Sequence, residues 1–243
     1  MKQNPSSPEK TNFGGSDFLA ELAGEATQKV KAIASEEETR KIRSSALHAA
    51  LNRIFKYLDQ FSNHVNNIQP AIPRAYGLDI QLVYGALQWA EGFTDYRKQS
   101  LADNAFLDHV LLRIRLTNTA PVTFKRRWHQ IGTLKKELHA TGLLALNELD
   151  TLLGDHPQQE FFHVELKPDF QIRMHFQGNF KTGAIDLHCT NLEDFGTSSF
   201  TLAPEEVSPQ LLDELGRFLI GRKHEIPELL SRNRHIAQPP VSR

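Results

Sequence analysis

Seven apolar residues, Leu47, Leu51, Ile54, Leu58, Phe61, Val65 and Ile68, follow one another at spacings of 4, 3, 4, 3, 4 and 3. On a helix this alternation holds all seven on one seam, because two helical turns take up about seven residues. A seam of that length has to be covered. The spacing reads first as an oligomer seam meeting its copy in a second chain, with packing inside the chain as the alternative, an antiparallel hairpin included. Phe55 lies outside the seam and widens the apolar face, as a bundle or a helix lying on a sheet requires.

The same stretch sets the helix boundaries. Pro70 and Pro73 end it. Ser35-Glu36-Glu37-Glu38 reads as a capping box at its start, the serine hydroxyl accepting from the Glu38 amide and the acidic run facing the positive end of the helix dipole. A rod of ~32 residues is roughly 48 Å long. An earlier helix is expected from Ser16, with Phe18, Leu19, Leu22 and Val30 as its apolar residues and a break at Ser35. Residues 1–15 are polar and rich in Pro, Ser, Asn and Gly, and read as a flexible arm; 16–70 form the helical, coiled-coil-like region.

From about residue 75 the period shortens to two. Val83, Leu87, Trp89 and Phe93 alternate with Leu82, Tyr84 and Ala86, predicting a long strand over 80–97. Val110, Leu112, Ile114 and Leu116 line one face of a second strand, with Leu111, Arg113 and Arg115 on the other. Asn118 to Pro121 turns the chain into a third strand, Val122 to Arg126. A helix with Ile131, Leu134 and Leu138 ends at Gly142, and a further helix, Leu143 to Leu153, is closed by Gly154, which completes a first β/α unit over 80–154.

The clearest alternation comes next. Phe162, Val164 and Leu166, then Phe170, Ile172, Met174 and Phe176, then Ile185, Leu187 and Cys189, then Phe200 and Leu202 predict an antiparallel meander with one apolar face. Ser208 as N-cap, Pro209 in the first turn and Gly221 beyond the last bracket a helix that covers that face with Leu211, Leu212, Leu215, Phe218 and Leu219. Meander and helix make up a unit over 160–221, the α+β region spans 75–231, and 232–243 reads as a flexible tail. The fold class is therefore α+β: a long N-terminal helix or helical hairpin followed by antiparallel strands covered by helices.

Composition narrows the function classes. The 28 basic and 29 acidic side chains nearly cancel, so no global field draws a polyanion, which argues against nucleic acid as a partner. The single cysteine, Cys189, has no partner for an internal disulfide. No run approaches the ~20 apolar residues of a membrane span. The first residues lack the apolar core of a secretory signal, so a cytoplasmic protein is expected.

Two constellations carry chemistry. Setting Leu166 against Phe170 and Met174 against Leu187 places His163, Arg173 and His188 in one row of the polar face and His175 opposite Asp186, with Glu165 nearby. These residue types suit a metal or an acid-base pair. No HxH, HxxxH or CxxC spacing accompanies them, so no metal, cofactor or catalytic residue is assigned. Arg113, Arg115, Lys125 and Arg127 form the second, an anion-binding patch beside Trp128. Dinucleotide, P-loop, nucleophile-elbow and zincin motifs are absent. The expectation is a non-catalytic adaptor, chaperone or regulatory subunit, homo-oligomeric through its helix and binding a protein client. The alternatives are a ligand- or nucleotide-binding regulatory domain using the Arg/Lys patch, and an enzyme with a His/Asp site on the meander.

Overall fold

The computed structural model describes residues 17–77, 83–100, 102, 105–141, 143, 161–166, 168–226 and 234–235. The chain divides into two units, residues 1–42 and 43–243. Apart from Leu143, the expected helix over Leu143 to Leu153 lies outside the described residues.

Helix α1 runs from Asp17 to Ile68 without interruption, so the expected break at Ser35 does not occur. The Thr39 hydroxyl donates to the Ser35 carbonyl at 2.9 Å, a bond made along a continuing helix. An exposed serine costs a helix only a few tenths of a kcal/mol, whereas a break orphans up to four N–H and four C=O groups. The capping-box pattern is real in the sequence and loses to continuity. In the first unit, residues 21–42 of the helix are exposed.

The second unit is built on a seven-stranded antiparallel sheet ordered β1-β4-β5-β8-β9-β10-β11, with β1 Ala71–Ile72, β4 Leu87–Lys98, β5 Leu107–Thr117, β8 Asp169–Asn179, β9 Ala184–Thr190, β10 Thr197–Leu202 and β11 Arg234–His235. Sequence order and spatial order agree, which makes the sheet an up-and-down meander. Two short ribbons stand outside it, β2 Tyr76–Gly77 with β3 Val83–Tyr84, and β6 Val122–Arg127 with β7 Phe161–Leu166. Helix α2, Trp128–Thr141, follows β6, so β6, α2 and β7 are inserted between the neighbouring strands β5 and β8.

Three strand expectations change. The strand over 80–97 is broken at Gly85 and Ala86, the latter at φ +50. Strand β7 pairs with β6, not β8, in a ribbon separate from the main sheet. Met174 stands opposite Cys189, and Phe176 opposite Leu187, a register two residues from the expected one. Within the expected tail, residues 234–235 add an edge strand to β10.

The inner face of the sheet carries the core, including Trp89, Ile114, Ile172, Met174, Leu187 and Phe200, all buried. The seam of α1 lies over it. Leu47, Leu51, Ile54 and Leu58 are fully buried and Val65 nearly so, while Phe61 is half-buried and Ile68 is 62% exposed. Specific bonds fix the docking: the Leu107 amide donates to His48 Nδ1 at 3.1 Å, the Ser62 and Thr94 hydroxyls meet at 3.2 Å, and Arg53 donates to the Pro204 and Val207 carbonyls. Phe55, the residue that widened the apolar face, packs edge-on to Tyr96. The seam is thus covered from within the chain by the sheet.

Helix α3, Pro209–Leu219, begins as expected, the Ser208 hydroxyl accepting from the Leu211 amide at 3.2 Å. It lies beside α1 on the same face. Leu212 and Leu215 meet Ile54, Phe176, Leu187 and Leu202 around a void of only about 10 Å³, too small to hold more than a single water. Arg74 ties the crossing loop to this helix, donating to the Leu192 and Phe218 carbonyls and stacking over the Phe218 ring.

Candidate functional site

With its inner face covered by α1 and α3, the sheet keeps an outer face whose side chains follow from the register. On β5 the outward residues include His109, Leu111, Arg113 and Arg115, on β8 Gln171, Arg173, His175 and Gln177, and on β9 Asp186, His188 and Thr190. From His109 to Arg115 on β5, and along β8 and β9, alternation is strict, which is why the polar set stayed on one side.

The register rearranges the expected histidine row. His175 stands opposite His188, not Asp186, and Leu111 flanks His175 on β5. The His109 and His175 rings meet edge-on with centroids 4.7 Å apart, and His175 and His188 are 6.5 Å apart. Asp186 faces Gln177 and Thr201, and accepts hydrogen bonds from Asn179 and Thr201. His163 lies on β7 opposite Lys125, and Glu165 opposite Thr123, in the separate ribbon. The expected His163–Arg173–His188 row therefore dissolves, because it required β7 beside β8. Among the described residues no three His, Cys, Asp or Glu side chains are placed to hold a metal ion.

Partial burial, then the neighbouring His109 and His188 rings, lower the pKa of His175, and Asp108 opposes them only in part. Asp108, at the β5 bulge, accepts from His109 Nδ1 at 3.0 Å and from Gln177. Because the folded state disfavours the protonated form, the unfolded chain takes up the proton first as pH falls. Stability contributed by neutral His175 is present above the ordinary histidine value of ~6.5 and is lost as pH drops from there toward the depressed folded value, below which it levels off. Urea melts between about pH 8 and about pH 5 are expected to show this decline, and His175→Gln to flatten it; an unchanged slope in the variant would refute the assignment.

The cationic patch is likewise redistributed. Arg113 and Arg115 share the outer face of β5, whereas Lys125 and Arg127 lie on β6 in the separate ribbon, Arg127 over the Phe161 ring. Arg115 is closed by both carboxylate oxygens of Asp169, Nε meeting Oδ1 at 2.7 Å and Nη2 meeting Oδ2. The residue that replaces the ribbon pair is Arg173, which stands directly opposite Arg113 and beside Thr190. Its guanidinium donates to the neutral Gln171 Oε1 at 3.2 and 3.3 Å.

Next to Arg173 opens a cleft of about 410 Å³, bounded by the carboxyl end of α2 at His139 to Thr141 and by Gln171, Thr190 and Asn191 of the sheet. Asn191, buried at φ +56, builds this wall: its Nδ2 donates to the Thr141 and Gln171 carbonyls, and its Oδ1 accepts from the Gly196 amide. Cys189 faces the opposite side in the core, where burial pushes its thiol up to about 12 and leaves it inert at neutral pH. No family model, curated protein or solved structure matches the chain. No helix among the described residues is long and apolar enough to cross a membrane.

Proposed function

We propose that the protein is a non-catalytic binding module that pairs with a second copy of itself through the first part of α1 and offers the outer sheet face to a client. The observation that carries this is an apolar stripe left open on residues 17–42. Phe18, Leu22, Val30 and Ile33 are 63%, 43%, 66% and 49% exposed. With Ala26 they recur at spacings of 4, 4, 4 and 3, which on a helix fall within one arc about a third of the way round. Isolated helices owe little of their stability to propensity, and Gly24 inside this one costs roughly 1 kcal/mol against alanine. A helix of this kind needs a partner on its apolar side.

Charge selects the partner and its direction. Turning a second copy antiparallel about Ala26 sets Leu22 against Val30, twice over by symmetry, and keeps the two copies of Lys29, which lies within the apolar arc, apart. A parallel pair sets Lys29, inside the arc, and Glu25, at its edge, each beside its own copy. The seam over 47–68 supports the same view by elimination, being already covered by the sheet.

Light scattering on the full chain at tens of micromolar is expected to give a dimer, and Leu22→Glu/Val30→Glu a monomer whose thermal melt matches the wild type. Lys29→Leu, which removes the one charge inside the arc, is expected to tighten pairing by about tenfold. A wild-type monomer, or a Leu22→Glu/Val30→Glu protein that stays dimeric, would remove this reading.

A further inference from the structure

Arg113 and Arg173 face each other across the sheet's central strand pair, and like charges directly opposite on one sheet face repel. Arg115, two residues along β5 on the same face, shows how this fold neutralises an arginine when it does so, with a bidentate carboxylate. Neither member of the opposed pair is treated that way. Arg173 holds only a neutral amide oxygen, and Arg113 has no hydrogen-bond or ion-pair partner among the described residues. Both are exposed, so their guanidinium groups are open to a ligand. An oxyanion between them replaces the repulsion with charge-assisted hydrogen bonds, and the planar fork of each guanidinium suits a phosphate.

The cleft says what the oxyanion is attached to. Its volume, about 410 Å³, falls within the range of sites for small organic ligands. Besides Arg173 its lining holds Asp169, His139 and the apolar Ala140 and Phe170, with Gln171, Thr141 and Thr190 as hydrogen-bonding groups. Two groups there would otherwise repel an anion and both are occupied: the Thr141 carbonyl at the end of α2 accepts from Asn191, and the Asp169 carboxylate is held by Arg115. We infer that Arg113 and Arg173 together bind the phosphate group of a small phosphomonoester whose hydroxyl-rich part lies in the cleft beside Thr141 and Thr190. This rests on the outer sheet face being the binding surface and is independent of pairing through α1.

Calorimetric titration of the full-length protein with glycerol 3-phosphate and, separately, with inorganic phosphate tests it. One equivalent of glycerol 3-phosphate is expected to bind, with Arg113→Gln and Arg173→Gln each weakening it at least about tenfold and Lys125→Gln leaving it unchanged. Tighter binding of the ester assigns the site to a phosphorylated small molecule, and equal binding of the two probes assigns it to free phosphate; both support the oxyanion site. Without ligand, the Arg113→Gln variant is expected to melt no lower than wild type, since it removes a repulsion, which separates lost binding from lost folding. No heat with either probe up to about 10 mM, or equal weakening by Lys125→Gln, overturns the inference. The Leu22→Glu/Val30→Glu variant is expected to bind glycerol 3-phosphate as wild type does, so failure of pairing and failure of this site are told apart.

Discussion

Leu51→Glu combined with Leu58→Glu is expected to unfold the second unit of the chain, not to split an assembly. Both leucines are fully buried beneath α1, on the inner face of the sheet. Leu51 reaches the backbone of β8, where its Cδ1 would lie 3.2 Å from a methyl placed on Gly178. Truncating one such leucine to alanine costs about 2–5 kcal/mol. A carboxylate in its place has no cation to pair with at that depth, and adds a desolvation penalty of at least several kcal/mol or forces itself to be protonated. Two of them exceed the roughly 5–15 kcal/mol that holds a typical domain together. Near-UV circular dichroism and a urea melt would check this; a variant that keeps a cooperative melt and merely changes mass in light scattering would show that the seam faces another chain.

That contrast shows what a hydrophobic period can reveal. The 4, 3, 4, 3 spacing of α1 states that one face must be covered, and it is; it carries no information about whether a helix or a sheet does the covering. Helix α3 was legible down to its cap because Ser208, Pro209 and Gly221 act through local backbone chemistry, Gly221 lying at φ +71 where a side chain is strained. Strand existence was legible for the same reason, since alternation is local. Partner choice was not. Lys167-Pro168-Asp169 has the composition of a hairpin turn, yet β7 before it pairs with β6 and β8 after it with β5, and the Asn118 amide donates to the Pro168 carbonyl. The opposition of Arg113 and Arg173 follows only from the β5–β8 register, which the inserted β6, α2 and β7 separate in sequence. The candidate site was therefore half visible: Arg113, Arg173 and the histidines were marked as outward, but their grouping depended on a strand pairing that no local signal reports.

Gly92→Ala is expected to destabilise the second unit by about 2–4 kcal/mol, a large effect for one methyl group. The cause begins with a bulge. Trp89 pairs with Leu116 and Glu91 with Arg115, so Ala90 is an extra residue, and Trp89 and Gly92 consequently both point inward although they are three apart. The same bulge turns Phe93 outward, 55% exposed, against the simple alternation that placed it with Trp89. The fully buried Trp89 ring turns its edge toward Gly92, and a methyl there would overlap its Cζ2 atom. The ring has nowhere to retreat. Its indole N–H donates to Asn66 Oδ1 at 2.8 Å, the Gly92 amide donates to the same oxygen at 2.6 Å, and Asn66 Nδ2 returns a bond to the Gly92 carbonyl at 2.8 Å. Phe61 of the seam closes the far side edge-on, 5.9 Å between centroids. Moving the indole therefore breaks a three-bond clamp between α1 and β4 as well as crowding the core, and each buried donor left without its acceptor costs about 1–3 kcal/mol. Asn66→Leu is expected to fall in the same range, and the double variant to cost less than the sum, because both act on one clamp. Denaturant melts of the two single variants and the double would check this; strictly additive losses, or a Gly92→Ala protein as stable as wild type, would show that the indole is free to shift.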